Sequence, residues 1–127
     1  KEHPHRQQKF VSVSTGAIID ITIDLRRASP TFLAWQAFEL NASNRHSLLI
    51  ANGIGHAFLA LQEGTTVTYL CDTIFEPQKE RRLNPLTAGI DWETLASGAG
   101  ISSLLISDED RNAPNLGDTQ FSWFSDI

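Results

Sequence analysis

Hydrophobic residues recur along this chain in short runs, alternating or continuous, separated by turn-forming residues. The runs read KFVSVS, AIIDITIDL, WQAFEL, HSLLIA, HAFLAL and TVTYLCDTIF, and the stretches between them include NASNR, NGIG and QEGT. Alternation with a period of two and frequent turn residues are typical of β-strands. The pattern therefore predicts at least six strands.

The run AIIDITIDL is the most informative of these strands because it carries two carboxylates. Alternation places isoleucines and a leucine on one face, and Asp20, Thr22 and Asp24 on the other. A polar strand face is solvated in many antiparallel sheets, but in a small barrel it can line a lumen that holds a ligand. The periodicity alone leaves both interpretations open.

Helical signals are confined to the last third of the chain. TAGIDWETLASGAG has room for one or two turns, and SDEDRNAP has a serine followed three residues later by Asp110, which is the spacing of a capping box. The aromatic tail TQFSWFSDI is expected to cover a core edge or a partner subunit. With no repeat and no linker, residues 1–127 are predicted to form a single antiparallel sandwich or barrel with a short C-terminal helical segment.

Composition narrows the classes of function. Of the 127 residues, 41% are hydrophobic and 20% charged, and the net charge is −5, which argues against a membrane span and against nucleic acid as a partner. The single cysteine, Cys71, suits a reducing compartment, so a cytoplasmic location is expected. The chain opens on Lys1 and contains no methionine, so we expect further residues before Lys1.

A series of ordered motifs resembles one known family. The segment QQKFVSVSTG, then DLRRASPTFLAW, LNASNRHSLLIANGIGHAFLAL and YLC, and finally EPQKERRLN, GIDW and ISDEDRNAP are similar to the dTDP-4-dehydrorhamnose 3,5-epimerase family as far as about residue 116. The resemblance implies an all-β double-stranded β-helix, the cupin jelly roll, and a homodimer. It also implies epimerisation at C3, C5 or both of a dTDP-4-keto-6-deoxy sugar.

The chemistry of such a reaction defines the groups that a site needs. Protons at C3 and C5 are acidic because either carbanion delocalises onto the C4 ketone oxygen as an enolate. Inversion requires a base on one face of the sugar and an acid on the other, with a cation or hydrogen-bond donor near the enolate oxygen. No metal or redox cofactor is required.

The resemblance implies a catalytic role for three residues. Lys9 matches the lysine near the sugar ketone, Tyr69 matches the tyrosine that returns a proton, and Asp110 matches the aspartate that orients the catalytic histidine. From the residues alone, Lys9 is also read as a surface lysine and Tyr69 as a half-buried strand residue. Asp110 with Ser107 is equally a helix-capping pair.

Three further residues are expected to support the site. The resemblance implies that His56 lies in the lumen with Asp20 as its partner, although a lone histidine beside an apolar run is often a satisfied core residue. Arg81 is a candidate to bind a diphosphate, with a solvated basic residue as the alternative. Asp24, next to LRR, is expected to form a salt bridge or support a turn.

The chain also departs from the family pattern. The family's base lies in an RGLH segment before the QxK strand, and the given residues begin after it, so residues 1–127 are expected to lack the N-terminal strands and the base. His3 and His5 are assigned to an exposed loop. Phe75 stands where some members have a second tyrosine, which bears on whether one carbon or both are inverted.

Two alternatives to an epimerase remain open. One is a cupin that binds a sugar nucleotide without catalysis, and the other is a dTDP-sugar ketoisomerase that uses other lumen residues. A metal site is not expected, because the glutamate that a metal-binding cupin places after its histidine pair is absent.

Overall fold

Residues 7–118 are described by the computed structural model, which is built mainly of β-strands. The six strands are β1 (Lys9–Thr15), β2 (Ala17–Asp24), β3 (Trp35–Asn41), β4 (Ser47–Ile50), β5 (Ile54–Ala60) and β6 (Thr66–Cys71). Each strand overlaps one of the predicted runs, so the all-β prediction is confirmed. β5 begins at Ile54, two residues earlier than the run HAFLAL, because part of NGIG, which was expected to be a turn, already pairs with β2. His3, His5 and the aromatic tail TQFSWFSDI lie outside the described residues.

The strands form two antiparallel three-stranded sheets that face each other. One has the order β4-β1-β6 and the other β3-β2-β5. The core between them contains Val11 and Val13 of β1, Ile18 of β2, Leu40 of β3 and Ile50 of β4. Side chains alternate along a strand, and Ile18 points into this core. Asp20, Thr22 and Asp24 therefore lie on the same interior side of β2.

Strand β2 is buried on both faces. Asp20 and Asp24 are 0% and 5% exposed, and Ile21 and Ile23 on the opposite face are also buried. That outer face is covered where Ile23 and Leu25 pack with Ala88 of the C-terminal segment. The solvated interpretation of the polar face is therefore wrong, because Asp20 and Asp24 are buried inside the sandwich. A role of this face in holding a ligand stays a prediction.

The C-terminal segment contains the short helices that the sequence predicted. Helix α1 spans Trp92–Gly98 and α2 spans Asp108–Arg111; single 3-10 turns form at Pro77–Lys79, Pro85–Thr87 and Leu116–Asp118. Trp92 is buried and its indole N–H donates to the carbonyl of Pro85 at 2.9 Å, which ties α1 to the preceding turn. Within residues 7–118, no helix has both the length and the apolar character needed to cross a membrane.

Candidate active site

A cavity of about 610 Å³ opens between the two sheets and the C-terminal segment. Its lining includes five of the six residues selected from the sequence: Lys9, His56, Tyr69, Arg81 and Asp110. The sixth, Asp20, is fully buried and contacts His56. The structure thus brings together residues from nearly the whole described chain, from Lys9 to Asp110.

Asp20 and His56 form a direct pair inside the sandwich. Oδ2 of Asp20 lies 2.9 Å from Nε2 of His56, whose side chain is 10% exposed. The residues come from neighbouring strands and are diagonal to each other, since β2 and β5 pair Asp20 with Phe58 and Thr22 with His56. Among the described residues, the other oxygen of Asp20, Oδ1, has no hydrogen-bond partner.

Tyr69 completes a cluster of three rings with His56 and Phe58. The imidazole meets the phenol edge to face, with ring centroids 6.0 Å apart, and Phe58 lies 6.5 Å from Tyr69 and 6.2 Å from His56. Burial raises the pKa of the Tyr69 hydroxyl, and the nearby Asp20 carboxylate and Cys71 thiol raise it further. These effects keep the phenol protonated.

Sequence reasoning missed Phe58 as part of this cluster. Its spacing of two residues from His56 within one strand was the available signal, because such residues point to the same face of a sheet. What the sequence lacked was the position of Tyr69, which lies on the other sheet.

Lys9 begins β1 on the lumen side of the first sheet. It pairs in register with Cys71 of β6, and Val11 pairs with Tyr69, so Lys9 and Tyr69 are diagonal neighbours across two strands. Lys9 is half-buried and lines the cavity. An ammonium group and a phenol therefore share one wall of the cavity.

Asp110 lies in α2 and lines the cavity. Its two hydrogen bonds with Ser107 are those of the predicted capping pair, and a third comes from Arg82. Its Oδ1 accepts from Nη1 of Arg82 at 3.0 Å, its Oδ2 accepts from the Ser107 hydroxyl at 2.8 Å, and its backbone N–H donates to the same hydroxyl at 3.1 Å. Ser107 is thus the N-cap of α2. An orienting role toward a histidine stays a prediction.

Arg81 lines the cavity, and its guanidinium is held by the backbone beside it. Nη1 donates to the carbonyl oxygens of Gln78 at 3.1 Å and Glu80 at 2.9 Å. The residue is exposed at the cavity, and a guanidinium is a suitable donor group for a phosphate. Its binding of a diphosphate stays a prediction.

Asp24 has the structural role expected of it. The guanidinium of Arg26 donates two hydrogen bonds to its carboxylate, from Nε to Oδ1 at 2.9 Å and from Nη2 to Oδ2 at 2.8 Å. The hydroxyls of Ser29 and Thr31 also donate to Oδ2, at 2.6 and 2.7 Å. The Arg26 guanidinium holds the pKa of Asp24 well below its usual range, with help from the two hydroxyls. The salt bridge predicted at LRR is confirmed.

Phe75 was predicted to influence whether one sugar carbon or both are inverted. It lies beyond the end of β6 and is 69% exposed. Within residues 7–118, no three histidine, cysteine, aspartate or glutamate side chains are grouped so that they could hold a metal ion. The ionisable groups that line the cavity are a phenol, an ammonium, an imidazole, two guanidinium groups and carboxylates.

Two facing antiparallel sheets with a cavity beside them are the architecture of the cupin jelly-roll class. A family model described as dTDP-4-dehydrorhamnose 3,5-epimerase matches residues 1–118. The chain belongs to this family, as its motifs indicated.

Individual relatives agree with the family assignment. The chain is 40% identical to the dTDP-4-dehydrorhamnose 3,5-epimerase of Mycolicibacterium smegmatis over 92% of its own length and 55% of the relative's. It is 38% identical to a dTDP-4-dehydro-6-deoxyglucose 3-epimerase from a Streptomyces species, covering 91% of this chain and 57% of the relative. Both mono- and di-epimerases are thus similar at comparable levels.

A solved structure supports the jelly-roll fold directly. The 3'-monoepimerase ChmJ from Streptomyces bikiniensis in complex with dTDP-quinovose superposes with a TM-score of 0.81 at 35% identity, over 92% of this chain and 57% of that one. The chain therefore spans little more than half the length of the relatives it matches.

Proposed function

We propose that the protein containing this chain epimerises a dTDP-4-keto-6-deoxy sugar at C3, C5 or both by proton removal and return through an enolate. The observation that carries the proposal is the meeting of Lys9, His56 and Tyr69, from three different strands, in one cavity of a chain of this family. A cation and a protonated acid are the groups that an enolate mechanism needs from this side of the sugar.

The proposed reaction proceeds in two proton transfers. A base removes the proton from C3 or C5, and the electron pair moves onto the C4 ketone oxygen to give an enolate. The ammonium of Lys9 stabilises that oxygen. Tyr69 then donates its phenol proton to the carbon from the opposite face, and the resulting tyrosinate regains a proton from solvent.

We propose that the base is a histidine in a segment upstream of the given residues, within an RGLH-like motif. The given residues then form one cupin domain without that segment and its strands. Asp110 is the candidate to orient this histidine, because its side chain lines the cavity. Arg81 is the candidate contact for the diphosphate.

A homodimer in the cytoplasm is part of the same proposal. On the outer face of the first sheet, Leu49, Phe10 and Leu70 form a row across three paired strands and are 67%, 40% and 64% exposed. Contiguous exposed apolar side chains favour a partner surface. Light scattering on a size-exclusion column, with Phe10→Ser as the variant, tests whether the chain associates through this row.

The function is tested by deuterium exchange into dTDP-4-keto-6-deoxyglucose in D2O, followed by proton NMR at C3 and C5. The given chain and a version extended upstream are compared. We expect exchange with the extended protein, and a larger rate than with the given chain. If neither exchanges the protons while the nucleotide still binds, the protein is a binding cupin and the catalytic roles of Lys9, Tyr69 and Asp110 are wrong.

The ketoisomerase alternative is tested by recording a carbon spectrum of the sugar on the same samples. A ketoisomerase moves the carbonyl between C4 and C3, which changes the carbon spectrum of the sugar as well as its protons. A product with its carbonyl at C3 would replace epimerisation as the function. Retention of the C4 carbonyl, together with exchange, supports epimerisation.

A further inference from the structure

The Asp20–His56–Tyr69 arrangement links a buried carboxylate to the proposed acid through an intervening ring. Asp20 is 0% exposed and bonds to His56 at 2.9 Å, and the imidazole in turn meets the phenol of Tyr69 edge to face. The hydrogen bond restrains the imidazole ring, because the carboxylate holds Nε2 in place. Asp20 thus contributes to the position of the imidazole against which Tyr69 packs.

The charge of Asp20 is incompletely compensated inside the protein. His56 contacts Oδ2, whereas Oδ1 has no hydrogen-bond partner within residues 7–118. A negative charge in a medium of low dielectric acts strongly on neighbouring groups. Formation of a second anion on Tyr69, in the same lumen, is consequently disfavoured.

We propose that Asp20 is a positioning residue for Tyr69: it locks His56 against the phenol ring, and its buried charge keeps the phenol in its proton-carrying form. The value of this arrangement for catalysis depends on the proposed function, in which Tyr69 is the acid. The direction of the Tyr69 pKa, raised by burial and then by Asp20, agrees with the geometry.

Other ionisable groups lie near Tyr69 or line the same cavity. Each of them is present both in the wild type and in a variant that lacks only the Asp20 carboxylate. They are Lys9 on β1, His56 on β5, Cys71 on β6, Asp110 on α2, and Glu80, Arg81 and Arg82, which line the same cavity. A difference between wild type and an Asp20 variant therefore isolates the contribution of Asp20.

The test uses the fact that Tyr69 is the single tyrosine among the 127 residues. Tyrosinate absorbance in the near ultraviolet reports the ionisation of this one side chain. Asp20→Asn removes the charge while keeping the shape, and Asp118→Asn makes the same exchange at an exposed position as a control. Tryptophan emission at each pH establishes that the protein remains folded.

We expect the ionisation midpoint of Tyr69 to move to lower pH in Asp20→Asn and to stay unchanged in Asp118→Asn. At neutral pH, the ring signals of a chain labelled with [13C]tyrosine should move in Asp20→Asn, because the charged contact that holds the imidazole against the phenol ring is replaced by a weaker neutral one, and remain in place in the control. The second measurement avoids alkaline conditions altogether.

An unchanged or raised midpoint in a folded Asp20→Asn protein overturns the proposal, as do ring signals identical to those of wild type. Neither measurement needs substrate, so the result is separable from the proposed function. If the midpoint moves but Tyr69→Phe exchanges sugar protons normally, the proposed acid is wrong and the Asp20 contact stands. If Tyr69→Phe is inactive but the midpoint is unmoved, only the role of Asp20 fails.

Discussion

Asp20 and Asp24 lie on the same buried face of β2, yet their surroundings differ completely. Asp24 is saturated by Arg26, Ser29 and Thr31, all from the loop that follows β2. Asp20 has a single recorded partner, His56 on another strand, and an oxygen without one among residues 7–118. Full local satisfaction indicates a structural carboxylate, and incomplete satisfaction beside a cavity indicates a functional one.

The comparison predicts that changes around Asp20 alter chemistry, whereas changes around Asp24 alter folding. The largest effect is expected for Tyr69→Phe in the upstream-extended protein. Loss of the acid should slow proton exchange into the sugar by about 10²–10⁴-fold. Affinity for dTDP should stay close to that of wild type, because the ring remains in place; calorimetric titration measures it.

Thr68→Val is the matched control for Tyr69→Phe, since Thr68 is an exposed residue of the same strand and alternation places it on the other face. It should exchange protons at the wild-type rate. A Tyr69→Phe protein with normal exchange and weak dTDP binding would move Tyr69 from the chemical step to ligand binding.

Lys9→Ala should lower the exchange rate by about 10²–10³-fold, because the enolate oxygen loses its cation. Thermal unfolding should change little, since the ammonium is only half-buried. Arg27→Ala removes an exposed cation from the loop after β2 and serves as the control. A near-normal rate for Lys9→Ala would remove this residue from the reaction.

Asp24→Asn should act on folding instead. The substitution weakens the two guanidinium bonds and the two hydroxyl bonds, and we expect a loss of about 2 kcal/mol in the free energy of unfolding. Urea unfolding of the given chain measures it, with Asp20→Asn alongside. If Asp20→Asn were the more destabilising of the two, the distinction between the carboxylates would fail.

The contribution of Asp24 should also depend on pH. Its pKa is depressed in the folded state, so its stabilisation is fully present above the unfolded pKa of about 4 and is lost progressively as the pH falls toward the folded pKa. The difference in unfolding free energy between wild type and Asp24→Asn should be constant from neutral pH to about pH 5 and shrink below about pH 4. A difference that grows in acid contradicts this sign.

Ser107→Ala is expected to have the smallest effect and tests the third carboxylate, Asp110. Loss of the N-cap should cost about 1 kcal/mol of stability. If Asp110 also orients the base, proton exchange in the extended protein should slow as well, because Ser107 donates to its carboxylate. Reduced stability with an unchanged rate would leave Asp110 as a capping residue alone.

The sequence was most informative where structure depends on neighbours in the chain. Alternating or continuous apolar runs between turn residues located all six strands, and the capping spacing located α2 at Ser107. The salt bridge of Asp24 was likewise foreseeable, because Arg26 lies two residues away.

The pattern of hydrophobic and polar residues did not predict contacts between distant segments of the chain. Alternation looks the same whether a polar face meets water or a lumen, so Asp20 required the family resemblance. The contact between Asp110 and Arg82 spans 28 positions and joins helix α2 to the segment before the Pro85–Thr87 turn, and nothing in either local sequence selects the other. Phe58 was missed for the same reason.

The burial of both faces of β2 has a consequence for how this protein can vary. A single-residue insertion or deletion within β2 would exchange the faces, moving the carboxylates outward and the isoleucines into the lumen. A change of two residues would preserve the faces but displace His56 from its partner along the neighbouring strand. We therefore expect the length of β2 to be invariant in any library of functional variants, with diversity restricted to substitutions.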